Sequence, residues 1–233
     1  MSRNTGRMWY GNGKLVHVYP NCLIELDFHE GSGSDTADAQ DRGTHTADLI
    51  NDPAWETGMD GAGYYATSLN GTDEHVALGD KPEWEVVAEL TVAMWVKPVA
   101  LGNYDVFAAS GDVGSWETGG WALYYNDNVV NFFVQNYTKH KAYSPTYTAD
   151  DAWHHIAGTY DKTTNVVQVY FDGVPGTAST YNGDIVYDAN ELCLGYAAPA
   201  NSFRMHGCID KFAYYDRCLT AAEILAIYND QSV

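Results

Sequence analysis

The sequence predicts an all-β fold, a two-sheet antiparallel β-sandwich with a short C-terminal helix. Three observations carry this. Short alternating stretches of β-forming residues recur along the chain, separated by Gly, Asn and Asp turn signals. Tyr (18) and Trp (7) suit half-buried pleated surfaces, and Gly (22) suits the turns between them. A chain of 233 residues fits a single large sandwich, and 45% apolar residues are enough to fill its core.

Residues 1–20 read as an irregular N-terminal extension, with Trp9, Gly11, Asn12 and Gly13 in a turn-like cluster, and 21–233 as one domain. The first clear strand is 22–28, ending at the loop signal Glu30-Gly31-Ser32-Gly33. Residues 34–63 are polar and Gly-rich, a long loop with short strands around 47–50 and 63–67. Further strands follow at 75–78, 90–97 and 105–110. Two more, 121–125 and 129–136, form a hairpin across Asn126-Asp127-Asn128. The series continues at 154–161, 166–171, 192–196 and 208–215, with turn signals at 161–165, 172–173 and 182–183. Thr220 followed three residues later by Glu223 reads as a capping box, and Ile224, Leu225, Ile227 and Tyr228 supply the apolar face of a helix. Trp95 alternates within its strand as a core residue does, and Trp153 and His155 read as core or turn residues.

The formal net charge is −19, with 12 Lys and Arg against 31 Asp and Glu. Nucleic acid and anionic membranes both require a basic footprint, so neither is an expected partner. Clustered carboxylates do suit a hard divalent cation. No apolar run is long enough for a membrane span, and residues 1–15 carry no apolar segment resembling a signal peptide. An extracellular or virion-surface protein with this N-terminus would reach its site by another route, such as lysis of an infected cell. The four cysteines, Cys22, Cys193, Cys208 and Cys218, contain no C-x-x-C pair, which argues against a zinc knuckle. Three pairings into disulfides are open to them, as is a set of buried thiols.

Five segments, in order, carry a family resemblance. They are Leu26-Asp27-Phe28-His29-Glu30-Gly31-Ser32-Gly33, Ser68-Leu69-Asn70-Gly71-Thr72-Asp73-Glu74-His75-Val76, and Leu90-Thr91-Val92-Ala93-Met94-Trp95-Val96-Lys97-Pro98. The fourth joins Trp153-His154-His155-Ile156-Ala157-Gly158-Thr159-Tyr160-Asp161 to Val169-Tyr170-Phe171-Asp172-Gly173, and the fifth runs from Gly207-Cys208-Ile209-Asp210 through Arg217-Cys218-Leu219-Thr220. The set resembles the laminin-G-like jelly-roll domains of the concanavalin A-like lectin/glucanase superfamily, from about residue 22 to 230. The resemblance implies a jelly roll whose first and last strands lie side by side, which makes Cys22 and Cys208 the preferred pair if a disulfide forms. It also implies a structural calcium ion held by Asp27, the Asn70 turn and Asp210. The fold itself hosts lectins, hydrolases, lyases and adhesion modules.

The catalytic patterns of the superfamily are missing. No E-x-D-x-x-E strand occurs, and only Gln135-Asn136-Tyr137 and Lys139-His140-Lys141 hint at a lyase element. A His140–Tyr124 or His140–Tyr143 acid/base pair is the remaining catalytic candidate. Asp35, Asp38 and Asp41 read as loop chemistry. A sugar site needs aromatic platforms and side-chain amides, and residues 101–147 supply both. Tyr104, Trp116, Tyr124, Gln135 and Tyr137 are the candidate ligands, with Trp116 in a Gly-rich loop as the expected exposed ring. The expectation is therefore a non-catalytic carbohydrate-binding or adhesion module for a polysaccharide or glycan, stabilised by calcium and placed on a virus particle. A polysaccharide-degrading enzyme (lyase before hydrolase) and a purely structural virion or decoration protein are the alternatives, and a homo-oligomer is compatible with each.

Overall fold

A computed structural model describes residues 8–11, 14–17, 21–39, 45–111, 119–135, 138–187, 189–197 and 203–231. The chain runs through β1 (Met8–Gly11), β2 (Lys14–His17), β3 (Cys22–Leu26), β4 (Asp35–Ala37), β5 (Thr46–Ile50), β6 (Ala54–Thr57), β7 (Tyr65–Asn70) and β8 (His75–Gly79). It continues through β9 (Glu89–Ala100), β10 (Asp105–Ser110), β11 (Trp121–Asn126), β12 (Val129–Val134), β13 (Lys141–Thr146), β14 (His154–Asp161) and β15 (Val166–Phe171). Short strands β16 (Val174–Pro175), β17 (Ser179–Thr180) and β18 (Leu192–Leu194) precede the long β19 (His206–Tyr215) and the helix α1 (Ala221–Gln231).

Two sheets pack face to face. Sheet I has the order β13-β12-β11-β10-β18-β8-β5-β4. Sheet II has the order β16-β15-β14-β9-β19-β7-β6, with β3 also on β19 and β17 on β15. All ladders between these strands are antiparallel, which is the predicted sandwich. Alternation decides which residues face inward. In β9, Leu90, Val92, Met94 and Val96 enter the core, and in β11 Trp121, Leu123 and Tyr125 do so. Gly158 faces that core, where an added Cβ would collide with the Phe132 ring, so the glycine makes room for an aromatic of the opposite sheet.

The hairpin predicted at 126–128 forms with Asp127 and Asn128 both in the left-handed region (φ 55 and 62), the type I′ geometry that matches strand twist. The capping box forms as well. Thr220 Oγ1 accepts from the Glu223 amide at 3.3 Å, and Glu223 Oε2 accepts from the Thr220 amide at 2.8 Å. Several expectations need revision. The extension read as irregular contains the β1–β2 hairpin, and the long loop contains β4 and β6 besides the expected short strand at β5. β13 has no counterpart in the sequence reading. Its alternation is brief and ends in a proline, and its edge is fixed from outside by mutual backbone hydrogen bonds between Tyr143 and Thr177.

The preferred cysteine pair is also corrected. β3 does lie beside β19, but antiparallel register sets Cys22 opposite Tyr215 and Cys208 opposite Ser68. Seven strand positions, roughly 23 Å, separate those ends, well beyond disulfide reach. All four cysteines are thiols.

Candidate functional site

The outer faces of the two sheets differ, and the sequence candidates fall on both. On sheet I, Tyr124 and Asn126 of β11 point away from the core, because Trp121, Leu123 and Tyr125 point into it. Register places Asn131 opposite Tyr124, Phe133 opposite Ala122, and Tyr143 opposite Asn131, so these share that outer face. Tyr104 reaches the same face from a tight turn. Gly102 donates its amide to Asp105 Oδ2 at 2.6 Å, Tyr104 takes φ 72, and its amide bonds the Tyr125 carbonyl. The Tyr104 and Tyr124 rings lie almost parallel, 9° apart with centroids at 6.4 Å, and Phe203 and Phe133 meet them edge-on.

Two of the five sugar candidates, Tyr104 and Tyr124, are thus brought together. Tyr124 is a base for the face rather than a surface platform, being fully buried. Gln135 directly follows β12 at φ 61 and gives its side-chain amide to the Val186 carbonyl at 2.8 Å, a structural bond. Trp116 and Tyr137 lie outside the described residues. Among the described residues, the exposed ring on this face is Tyr143, at 44%. Two amides that the sequence did not single out for binding share this face. Asn131 donates to the Asn126 and Val129 carbonyls, while the carboxamide oxygens of Asn126 and Asn131 are buried without a hydrogen-bond partner. Period-2 alternation from Tyr124 reaches Asn126, while Asn131 needs the register across the hairpin. His140, the catalytic candidate, bonds the Thr180 carbonyl through Nδ1 at 2.7 Å and packs on Tyr181.

The calcium candidates lie elsewhere, on sheet II. β19 changes partner along one edge, pairing through residues 206–209 with β7 and through 212–215 with β3. A bulge with Lys211 at φ 49 marks the changeover. Asp210 is fully buried there. Its Oδ2 accepts from the Met59 amide at 2.9 Å, and its Oδ1 has no partner. Burial pushes its carboxyl up to about 7, and the same cause, reinforced by Asp27 and Asp38, raises Glu25 to about 7. Asp27 directly follows β3, next to this bulge, and pairs with His29 at 3.1 Å. Lys211 Nζ reaches Asp60 at 2.6 Å.

Asp27 and Asp210 are therefore neighbours, and Asn70 is not with them. It pairs with His206, four positions from Asp210, and its Oδ1 caps the amides of Thr72 and Asp73 at 2.7 and 3.1 Å. That is turn chemistry. Among the described residues, the carboxylates of this pocket do not gather into a group of three with ligand atoms within 4.8 Å. An ion here would draw on backbone carbonyls as well as Asp210.

With the geometry in place, comparison with known proteins adds the lineage. A family model described as Concanavalin A-like lectin/glucanases superfamily (Laminin_G_3) matches residues 70–225. A search of curated proteins finds no significant match. Among solved structures, domain 4 of AbnA, a GH43 extracellular arabinanase from Geobacillus stearothermophilus in complex with arabinotriose, is similar at TM-score 0.68 and 19% identity, covering 89% of this chain and 98% of that one. The binding domain of Paraclostridial Mosquitocidal Protein 1 is similar at TM-score 0.70 and 14% identity, over 90% of this chain and 52% of that one. The Ruminococcus gnavus IT-sialidase CBM40 bound to α2,3 sialyllactose is similar at TM-score 0.59 and 13% identity, over 70% and 96%. At these identities the likeness establishes the jelly roll. The match over 70–225, the antiparallel sandwich and the long β19 carrying Gly207-Cys208-Ile209-Asp210 together make this chain a member of the concanavalin A-like lectin/glucanases superfamily.

Proposed function

We propose that the protein is a carbohydrate-binding module whose ligand lies on the outer face of sheet I. One observation carries the reading. An exposed ring, Tyr143, stands directly across from Asn131, which in turn lies across from Tyr124 of the stacked Tyr104–Tyr124 pair, so the three strands present one aromatic outer face. A pyranose stacks its apolar face on an aromatic ring, and the exposed Tyr143 ring offers such a platform. The solved relatives bound to arabinotriose and sialyllactose support the same use of the fold. A net charge of −19 favours a neutral glycan over a polyanionic one. On this reading the protein works outside the cell or on a virion surface, where such polymers are met. Titration of neutral oligosaccharides against the wild type and Tyr143→Ala tests it. The variant is expected to bind at least roughly tenfold more weakly, about 1.4 kcal/mol. Equal affinity of the two would refute the placement.

A second reading concerns calcium. The orphaned Asp210 Oδ1 and the two carboxyls raised to about 7 describe a pocket that gains from a hard cation. Asp27 and Asp210 would hold the ion, and it would supply structural stabilisation only. Calcium is expected to raise the melting temperature of the wild type, and Asp210→Asn is expected to abolish that gain.

A further inference from the structure

Sheet I carries a second cluster on the same outer face, displaced from the ring pair toward β8 and β18. His75 opens β8, and Cys193 sits in β18 opposite Ala77, with Glu191 just before that strand. The imidazole, carboxylate and thiol ligand atoms all lie within 4.8 Å of one another. We propose that His75, Glu191 and Cys193 form a binding site for a borderline-soft divalent cation of the zinc type, with one coordination position left for water.

The donor set argues for that class of ion. Calcium and magnesium take oxygen ligands, whereas a nitrogen, oxygen and sulfur triad with an open fourth position is a zinc arrangement. Bonds of about 2.0–2.3 Å to a tetrahedral ion need ligand atoms roughly 3.5 Å apart, so closing the cluster takes about 1 Å of side-chain movement. The surroundings are those of a supported site. The Asp73 carbonyl faces His75 Nδ1 at 3.5 Å, which favours the tautomer with its lone pair on Nε2. The imidazole packs on Tyr196 at 4.8 Å, and the Arg204 guanidinium lies 4.2 Å from the Tyr196 ring centroid. Burial and the nearby Arg204 charge both hold His75 toward its neutral, metal-binding form.

The charge also balances. Cys193 is fully buried, and burial and the Glu191 carboxylate push its thiol well above the ordinary range, so it is protonated without a metal. A dication displaces that proton to solvent and forms the metal–sulfur bond. The thiolate and the Glu191 carboxylate then cancel its two charges. A cysteine used only as a small apolar side chain would not call for a carboxylate and an imidazole beside it. Sequence spacing argued against zinc because it looked for adjacent cysteines, while this site joins residues 75, 191 and 193 across two strands.

Cobalt(II) titration of the reduced full chain, followed by absorbance, tests the site. One equivalent is expected to give a thiolate-to-cobalt charge-transfer band and tetrahedral ligand-field bands, and zinc is expected to bleach both. Cys193→Ser is expected to lose the charge-transfer band, and His75→Ala to bind cobalt about tenfold more weakly or worse. Metal-free melting of each variant shows whether it is folded, and a Cys193→Ser chain that does not fold passes the decision to His75→Ala. Absence of a thiolate band in the wild type, or a band unchanged in the folded variants, overturns the proposal. So does a cobalt response that calcium displaces, since that places the ion in the acidic pocket.

Discussion

The two outer faces of the sandwich have been given opposite treatments. On sheet II, α1 covers Ala93, Ala157, Tyr170, Ala213 and Tyr215 with Ile224 and Ile227, and Tyr228 stacks on Trp95 at 5.7 Å. That cover is apolar enough to leave His155 buried with neither ring nitrogen hydrogen-bonded. On sheet I, rings alternate with amides whose oxygens lack donors, and an aromatic stands exposed at 44%. A face built for stability removes polar groups or buries them at a cost. A face that leaves an aromatic ring exposed is arranged for a partner that stacks on it.

The largest expected effect lies on the sealed face. Trp95→Ala removes the ring between α1 and sheet II and should cost about 3–5 kcal/mol in denaturant unfolding. A loss below about 1 kcal/mol would show that α1 is not a lid but a loosely docked tail.

Next comes the response to acid. Burial lowers His155 from 6.5 to about 4. The unfolded chain therefore binds more protons between those values, so His155 contributes stability above pH 6.5 that is lost as pH falls toward 4, by about 3 kcal/mol. Glu25 and Asp210 work in the opposite sense. Each is raised from the ordinary carboxyl range to about 7, so the folded chain holds their protons more tightly, and their contribution, full at the acid end, is lost as pH rises to about 7. Replacing His155 with Phe removes that loss, so the variant should gain about 3 kcal/mol on the wild type along the acid limb of a stability profile, between pH 6.5 and 4, over and above the carboxyl effect that both share. An unchanged acid limb would place the sensitivity elsewhere.

How far these faces were legible follows from the range of the interactions that make them. The strands of the core, the type I′ turn at Asp127-Asn128 and the Thr220–Glu223 box depend on residues a few positions apart, and the sequence displays them. Trp95 was legible as buried, but not as buried under a helix, because alternation does not say what covers the outer side. Register is a long-range property, and it parted Cys22 from Cys208 and Asn70 from Asp210. Asn70 shows a second limit. An amide that caps a turn and one that ligates an ion occupy the same kind of loop. Asn126 was read only as a turn residue, and Asn131 was passed over because it sits in a run of β-formers, where only pairing with Tyr124 and Tyr143 reveals the shared face.

A smaller effect is expected at the start of the lid. Thr220→Ala removes one half of the capping box and should cost about 1 kcal/mol in unfolding. The Arg217–Glu223 pair, at 2.9 Å, retains the other contact to Glu223. A cost near that of Trp95→Ala would mean that α1 is held by its end rather than its apolar face.

The smallest stability effect belongs to Tyr143, and it separates the two faces most cleanly. Its ring is exposed, and its strand is held by backbone bonds to Thr177 that a side-chain change leaves in place. Tyr143→Ala should therefore unfold within about 0.5 kcal/mol of the wild type, as surface substitutions usually do. A side chain that adds so little to the fold, yet keeps its ring exposed on this face, has its use in the bound state. Loss of glycan affinity at unchanged stability is the signature of that division. A loss of both together would make Tyr143 part of the sandwich and return the two faces to the same role.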